Sequence, residues 1–290
     1  MTGSARRRTD DSRYGEWVPL VAAAVCPHPP LLVPEVAGSA APELDDLRAA
    51  CDTAVRRLLA VDPDTVVLLG TGPVTGLIRT PATGSLQPWG VDLDVPLVRG
   101  QPDRGAVLPL SLTIGAWLLA RHDARARDPR EQDAREQDAR EQDARERDAR
   151  ARDPRADGAR ASVTAVQVAA DAGPAELAAL ADEVGGAGDR VALLVLGDGS
   201  ACRGEKAPGY DDARALPYDQ GVATALADAD LDALLDLDPV LSAELKAAGR
   251  APWQVLAGVA RAAGGGWRGE LLYDAAPYGV AYFVASWERV

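Results

Sequence analysis

Three short, nearly uninterrupted apolar runs constrain this chain more than any other feature: Val18 to Cys26, Thr65 to Leu69 and Arg190 to Leu196. Each stops at a turn-forming residue, Pro27, Gly70 or Gly197. A strand with one face in water alternates apolar and polar side chains, so unbroken runs of this length fit strands covered on both faces. Between and after them the apolar spacing becomes helical. Leu44, Leu47, Cys51, Val55 and Leu58 recur at that spacing between Pro42 and Ala60, and Leu108 to Ala120 and Glu176 to Val184 read the same way. A helical series follows at Leu216 to Ala227, Leu231 to Leu237, Val240 to Ala248 and Trp253 to Ala263. Glu270 to Tyr273 and Gly279 to Trp287 close the chain as strand-like segments. This alternation predicts a three-layer α/β fold, a central mostly parallel or mixed sheet with helices on both faces. Such folds place their chemistry in the turns at the strand ends.

Composition narrows the function classes. The chain has a formal net charge of -13, which excludes nucleic acid or an anionic membrane surface as the expected partner. Its single Phe, Phe283, and single Met leave the core to small and branched aliphatics, with six Trp and six Tyr supplying bulk. Cys26, Cys51 and Cys202 are odd in number and form no CxxC pair. They fit a reducing compartment and offer neither a disulfide framework nor a zinc cage. Arg6 to Arg8 before the first apolar run imitate a signal peptide. Asp10, Asp11 and Glu16 interrupt the imitation, and Pro27, Pro29 and Pro30 stand where a small-residue cleavage site belongs. No apolar stretch reaches the ~20 residues of a membrane helix, so the expected location is the cytoplasm.

The expected organisation is a disordered tail over residues 1–16 and one domain over 17–290. A low-complexity charged insert interrupts that domain at about 122–160. From Arg130 to Arg150 the insert repeats Arg-Glu-Gln-Asp-Ala, a period that matches neither a helix face nor a strand face. Its Glu131, Glu136, Glu141 and Glu146 each precede an arginine by four residues, an orientation that supports a solvated helix. The expectation is such a helix or a disordered excursion without chemistry. A partner-docking role is the alternative.

Four stretches carry the chemical signal. A strand runs into Cys26-Pro27-His28-Pro29-Pro30-Leu31-Leu32, delivering a histidine into a stiff proline loop. LGDGSACRGEKAPGYDDARALPYD follows from Leu196 to Asp219, and LDALLDLDPVLSAELKAAGRAPWQVLAG from Leu231 to Gly258. LLYDAAPYGVAYFVA lies near the C-terminus. In this order they resemble the LigB superfamily, the class III extradiol ring-cleavage dioxygenase subunits B and related Memo-like proteins. The resemblance spans nearly the whole chain outside the tail and the insert.

That resemblance implies Fe(II) held by two histidines and a carboxylate, which leaves positions open for catecholate and O₂, and a further histidine as acid/base. His28 matches the first iron histidine. The second belongs after the next buried strand, where this chain has Gly70-Thr71-Gly72-Pro73. The acid/base histidine falls at Ala201, and the carboxylate at Ala247, three residues after Glu244. The chain holds only two histidines, and the other, His122, sits at the edge of the insert. The expectation is therefore a dioxygenase-like scaffold with a degenerate non-haem iron site and with metal absent or weakly held. It would bind a small anionic or aromatic ligand, or a partner, without ring cleavage. The alternative is an active metal-dependent oxidoreductase rebuilt around His28, Asp198 and Cys202.

The candidate residues have plain structural readings beside the functional ones. His28 is a relic ligand or an ordinary loop histidine, and Asp198 a turn brace or an acid/base. Cys202 stands beside Arg203 and Lys206, which could lower its thiol pKa and make it a nucleophile. Arg203, Glu205 and Lys206 form a solvated loop or, facing inward, hold an anion. Tyr218 and Asp219 read as capping and packing residues, and Trp253 and Tyr282 as core. Asp274 is the remaining carboxylate near the C-terminal edge. Gly264-Gly265-Gly266 is a connection, not a phosphate cradle, because no helix is expected after it.

Overall fold

The computed structural model describes residues 20–100, 105–126 and 161–290. A parallel core is formed by β1 (Leu20–Cys26), β2 (Thr65–Gly72), β7 (Ser162–Ala169) and β8 (Val191–Leu196). β3 (Gly76–Ile78) pairs antiparallel with β7 at one side. β9 (Trp267–Ala275) and β10 (Tyr282–Arg289) add antiparallel strands at the other. The resulting seven-stranded mixed sheet has the order β3-β7-β2-β8-β1-β10-β9. A second, three-stranded sheet joins β4 (Ala82–Ser85), β5 (Asp94–Pro96) and β6 (Ala106–Val107).

Helices cover both faces of the large sheet, as the apolar runs require. The first face holds α2 (Asp45–Ala60) and α3 (Leu110–Arg125), reached from β1 through the short α1 (Pro34–Ala37). The second holds α4 (Pro174–Gly185), α5 (Ala215–Asp228) and α8 (Arg250–Ala263), with the short α6 (Leu231–Leu235) and α7 (Pro239–Glu244) between the last two. Strand alternation sorts the side chains: Ala22, Ala24 and Cys26 pack toward α2 and α3, while Ala23 and Val25 pack toward the second layer. β8 divides in the same way, Leu194 and Leu196 against Leu193 and Val195. Trp253 and Phe283 meet edge to face in the second layer, ring centroids 6.0 Å apart. A fully buried side chain of this size contributes about 2–3 kcal/mol of apolar burial.

Several boundaries depart from the sequence reading. The helix expected from Pro42 begins as a 3-10 stretch, Gly38–Leu44, and becomes α-helical only at Asp45. The segments expected to reach Leu237 and Ala248 stop at Leu235 and Glu244. Between them Asp238 accepts from the Leu241 N–H and starts α7 with Pro239 in its first turn. α3 extends through Arg125, so residues 122–126 belong to this helix and its cap and not to the insert. The expected tail and the repeats lie outside the described residues. Among the described residues no helix is long and apolar enough to cross a membrane.

Candidate functional site

The ends of three parallel strands define the site. Cys26 and Gly70 both stand in register with Leu196, so β1 and β8 end level with Gly70, from which β2 runs on to Gly72 beside β7. His28, Thr71 and Asp198 are the residues that follow. The Gly197 N–H donates to the Cys26 carbonyl at 3.0 Å, tying the β8 turn to β1. The Gly249 N–H donates to the Asp198 carbonyl at 2.8 Å, tying the same turn to the start of α8. Backbone meets backbone at that point: a Cβ on Gly197 would lie 2.6 Å from the Gly249 Cα, and one on Gly249 would enter the Trp253 indole. Glycine at both positions is therefore what lets α8 close over the strand ends.

His28 and Asp198 form the centre. The backbone N–H of His28 donates to Asp198 Oδ1 at 2.8 Å, and His28 Nδ1 lies 3.6 Å from the same oxygen. The imidazole side chain is 10% exposed and the carboxylate 15%, so both are largely withdrawn from water. His28 Nδ1 has no hydrogen-bond partner. Burial pushes the Asp198 carboxyl above the usual carboxylate range, with the nearby His28 pulling the other way. The Tyr282 phenol is raised as well, chiefly by burial and next by Asp198. Tyr282 is thus both a core residue, as read from the sequence, and a neighbour of the pair.

Asp219, the fifth residue of α5, is no cap. α5 begins at Ala215 and the Asp219 carboxylate turns inward, taking the Ser200 N–H at 2.8 Å and the Ser200 hydroxyl at 2.6 Å. Arg203 Nη1 stands 3.8 Å from it, so this arginine faces inward while Glu205 and Lys206 are exposed. Burial again raises the carboxyl and the Ser200 bonds oppose the rise. Tyr218 bonds through its hydroxyl to Ser242 Oγ at 2.9 Å, and burial pushes its pKa up to about 12. Ser200, wholly buried, is a participant that the sequence reading passed over, because a serine in a Gly-Asp-Gly-Ser turn has an ordinary turn-forming explanation.

The nucleophile reading of Cys202 is corrected. Its thiol is buried, and Sγ contacts the carbonyls of Gly209 at 3.5 Å and Leu245 at 3.4 Å. Burial pushes the thiol pKa up, reinforced by Asp212, while Lys246 and Arg214 oppose the rise. Asp274 is exposed on β9, and Glu244 is exposed and paired with Arg214 at 2.7 Å. Ala201 and Ala247 lie at the same end of the sheet: the Ala201 N–H donates to Leu245 O, and Ala247 is two residues from Gly249. His122 is remote from them. α3 starts beside β2, where Ser111 Oγ donates to Thr71 O at 2.6 Å, and His122 lies about 16 Å further along the helix at its usual rise.

The Fe(II) implied by the resemblance needs two imidazoles and a carboxylate on one face. His28 and Asp198 supply one of each. Among the described residues no group of three or more His, Cys, Asp or Glu comes together as a ligand set. The donors present do not fit that iron centre. What they make is a buried donor–acceptor pair beside one buried imidazole nitrogen that has no hydrogen-bond partner.

No protein-family model matches this chain, and no curated protein matches it. Among solved structures, an uncharacterized protein from Escherichia coli K12 aligns over 92% of this chain and 99% of its own, at 14% identity and a TM-score of 0.42. A likeness at that level carries no argument about function, and the chemistry has to be read from the residues themselves.

Proposed function

We propose that this chain is a LigB-like protein that binds a small aromatic or anionic ligand at the ends of β1 and β8 without cleaving a ring. The observation that carries this reading is the open Nδ1 of His28, buried beside Asp198. A buried polar atom without a partner is costly; a ligand hydroxyl would satisfy it, and a ligand carboxylate would do so where Nδ1 carries the proton. Ring cleavage through iron finds no support in the donor set, since the second histidine and the acid/base histidine have Thr71 and Ala201 in their places. Cys202 does not rescue a rebuilt catalytic site, because its thiol is committed to backbone carbonyls.

The test uses the full chain expressed with iron, zinc and manganese in the medium. Catechol and benzoate are the probes. The expected result is a rise in melting temperature with at least one of them, lost in His28→Ala, and no oxygen consumption with catechol. Stoichiometric metal that is lost in His28→Ala, together with oxygen uptake, would replace this reading with a metal-dependent oxidoreductase. Absence of any melting shift with either probe would remove the ligand class.

A further inference from the structure

The face of the sheet opposite α2 and α3 carries a second enclosure. A cavity of about 570 Å³ opens between the loop after β7, the first turns of α4, the α6–α7 connection and the inner side of α8. It sits at the carboxyl end of β7, the side on which open α/β sheets bind ligands. Tyr282, the neighbour of Asp198, packs toward α2 and α3, whereas α8 and α4 belong to the other layer. The cavity lining includes neither His28 nor Asp198, so the two sites are separate although the Asp198 turn is bonded to Gly249 at the start of α8.

Its floor is charged and buried. Arg250 is 4% exposed and Gln254 7%. Arg250 Nη1 donates to the Ala172 carbonyl at 3.0 Å and to Gln254 Oε1 at 2.9 Å, and Nη2 donates to the Ala170 carbonyl. Gln254 is fixed in turn by donating to Leu235 O at 2.8 Å and Leu237 O at 3.1 Å. All the oxygens that Arg250 meets are neutral, and the guanidinium has more N–H groups than these bonds use. A buried cation with no carboxylate in hydrogen-bonding contact, and only the more distant Asp171 acting on it through space, is expensive, and an anionic ligand group is the natural complement.

The walls and mouth add two further requirements. Leu177, Leu235 and Leu237 give an apolar wall. Asp171, Asp236 and Asp238 line the opening and are exposed, while Arg261 at the same rim is already paired with Asp232. Three carboxylates at the mouth of a protein of net charge -13 repel a simple anion. The buried guanidinium equally disfavours a simple cation. A ligand carrying both charges on neighbouring atoms answers Arg250 and the adjacent Asp171 together.

We infer that this cavity binds a small zwitterion with an apolar body, an aliphatic amino acid by chemical class. Its carboxylate meets Arg250, the ammonium on the same carbon faces Asp171, which lies between the two residues whose carbonyls Arg250 binds, and its side chain lies against the leucines. Titration calorimetry on the full chain tests this with three probes: leucine, leucinamide, which lacks the carboxylate, and 4-methylpentanoate, which lacks the ammonium. Leucine is expected to bind saturably, and each of the other two at least about tenfold more weakly, a difference of ~1.4 kcal/mol. Ala178→Trp, an exposed α4 position on the cavity lining, closes the mouth without touching Arg250 and is expected to abolish the leucine isotherm. Arg250→Met is expected to do the same if it folds. Excess catechol leaves leucine binding unchanged, because the two sites are separate. No saturable leucine binding overturns the inference, as does equal binding of either truncated probe, an unaltered isotherm in Ala178→Trp, or displacement by catechol.

Discussion

Asp198 and Asp219 reach the same end of the sheet from opposite sides of one turn, and burial raises both carboxyls, yet they do different work. Asp219 is 1% exposed, accepts both the N–H and the hydroxyl of Ser200, and has Arg203 nearby. Its lone pairs are spent on holding the Gly197–Cys202 turn against α5. Asp198 accepts the backbone N–H of His28, and the imidazole beside it is left with an open nitrogen. A carboxylate with its partners complete is a brace. One whose neighbour lacks a partner is where a ligand gains most, because that ligand satisfies a group already withdrawn from water.

The sharpest way to break this comparison is to remove the brace. Asp219→Ala strands the Ser200 N–H and hydroxyl in the interior and leaves Arg203 without its carboxylate, a loss of about 3 kcal/mol by urea denaturation. A variant as stable as the parent would show that the Ser200 bonds do not hold the turn. Asp198→Asn is the counterpart and is expected to change stability by less than about 1.5 kcal/mol, since an amide oxygen still accepts from His28. Its sign depends on pH. A carboxyl raised in the folded state contributes stability that is complete below its ordinary pKa of 3.8 and is lost as pH rises through the folded value. The parent should therefore lose ground to Asp198→Asn as pH is raised from below that value toward neutrality. A difference that runs the other way would mean that His28 holds Asp198 as a carboxylate in an ion pair. The smallest effect concerns Cys202. Native protein at mildly alkaline pH should resist iodoacetamide at all three buried cysteines, and rapid labelling of Cys202 would restore it as a reactive group.

Much of the fold was legible in the sequence. The unbroken runs that became β1, β2 and β8 could only be strands covered on both faces, and their turn residues marked where the site lies. β7 was not legible, because its Ser, Thr and Gln dilute the apolar signal in a strand that closes only when paired with β2 and β3. β4, β5 and β6 have at most four residues each, too few for a period to show. At the site, His28 and Asp198 were legible as residues at strand ends, but their mutual contact was not, since 170 positions separate them. The surroundings of Cys202 were not legible for a related reason. Neighbours in sequence, Arg203 and Lys206, suggested a lowered pKa, while burial against Ala215 and Leu245, reinforced by Asp212, pushes the thiol the opposite way.

The sequence by itself determined the layered α/β arrangement, because solvent-averse runs and helical spacing are local properties that packing can only satisfy or violate. It also determined that a full two-histidine iron set with an acid/base histidine cannot be assembled from a chain with two histidines. Only the tertiary structure decided which carboxylate is spent as a brace, which imidazole nitrogen is left open, and that Arg250 is buried facing neutral oxygens beside a cavity. Those outcomes depend on hydrogen-bond partners and solvent exclusion supplied by distant segments, and neither is written in any one stretch of the chain.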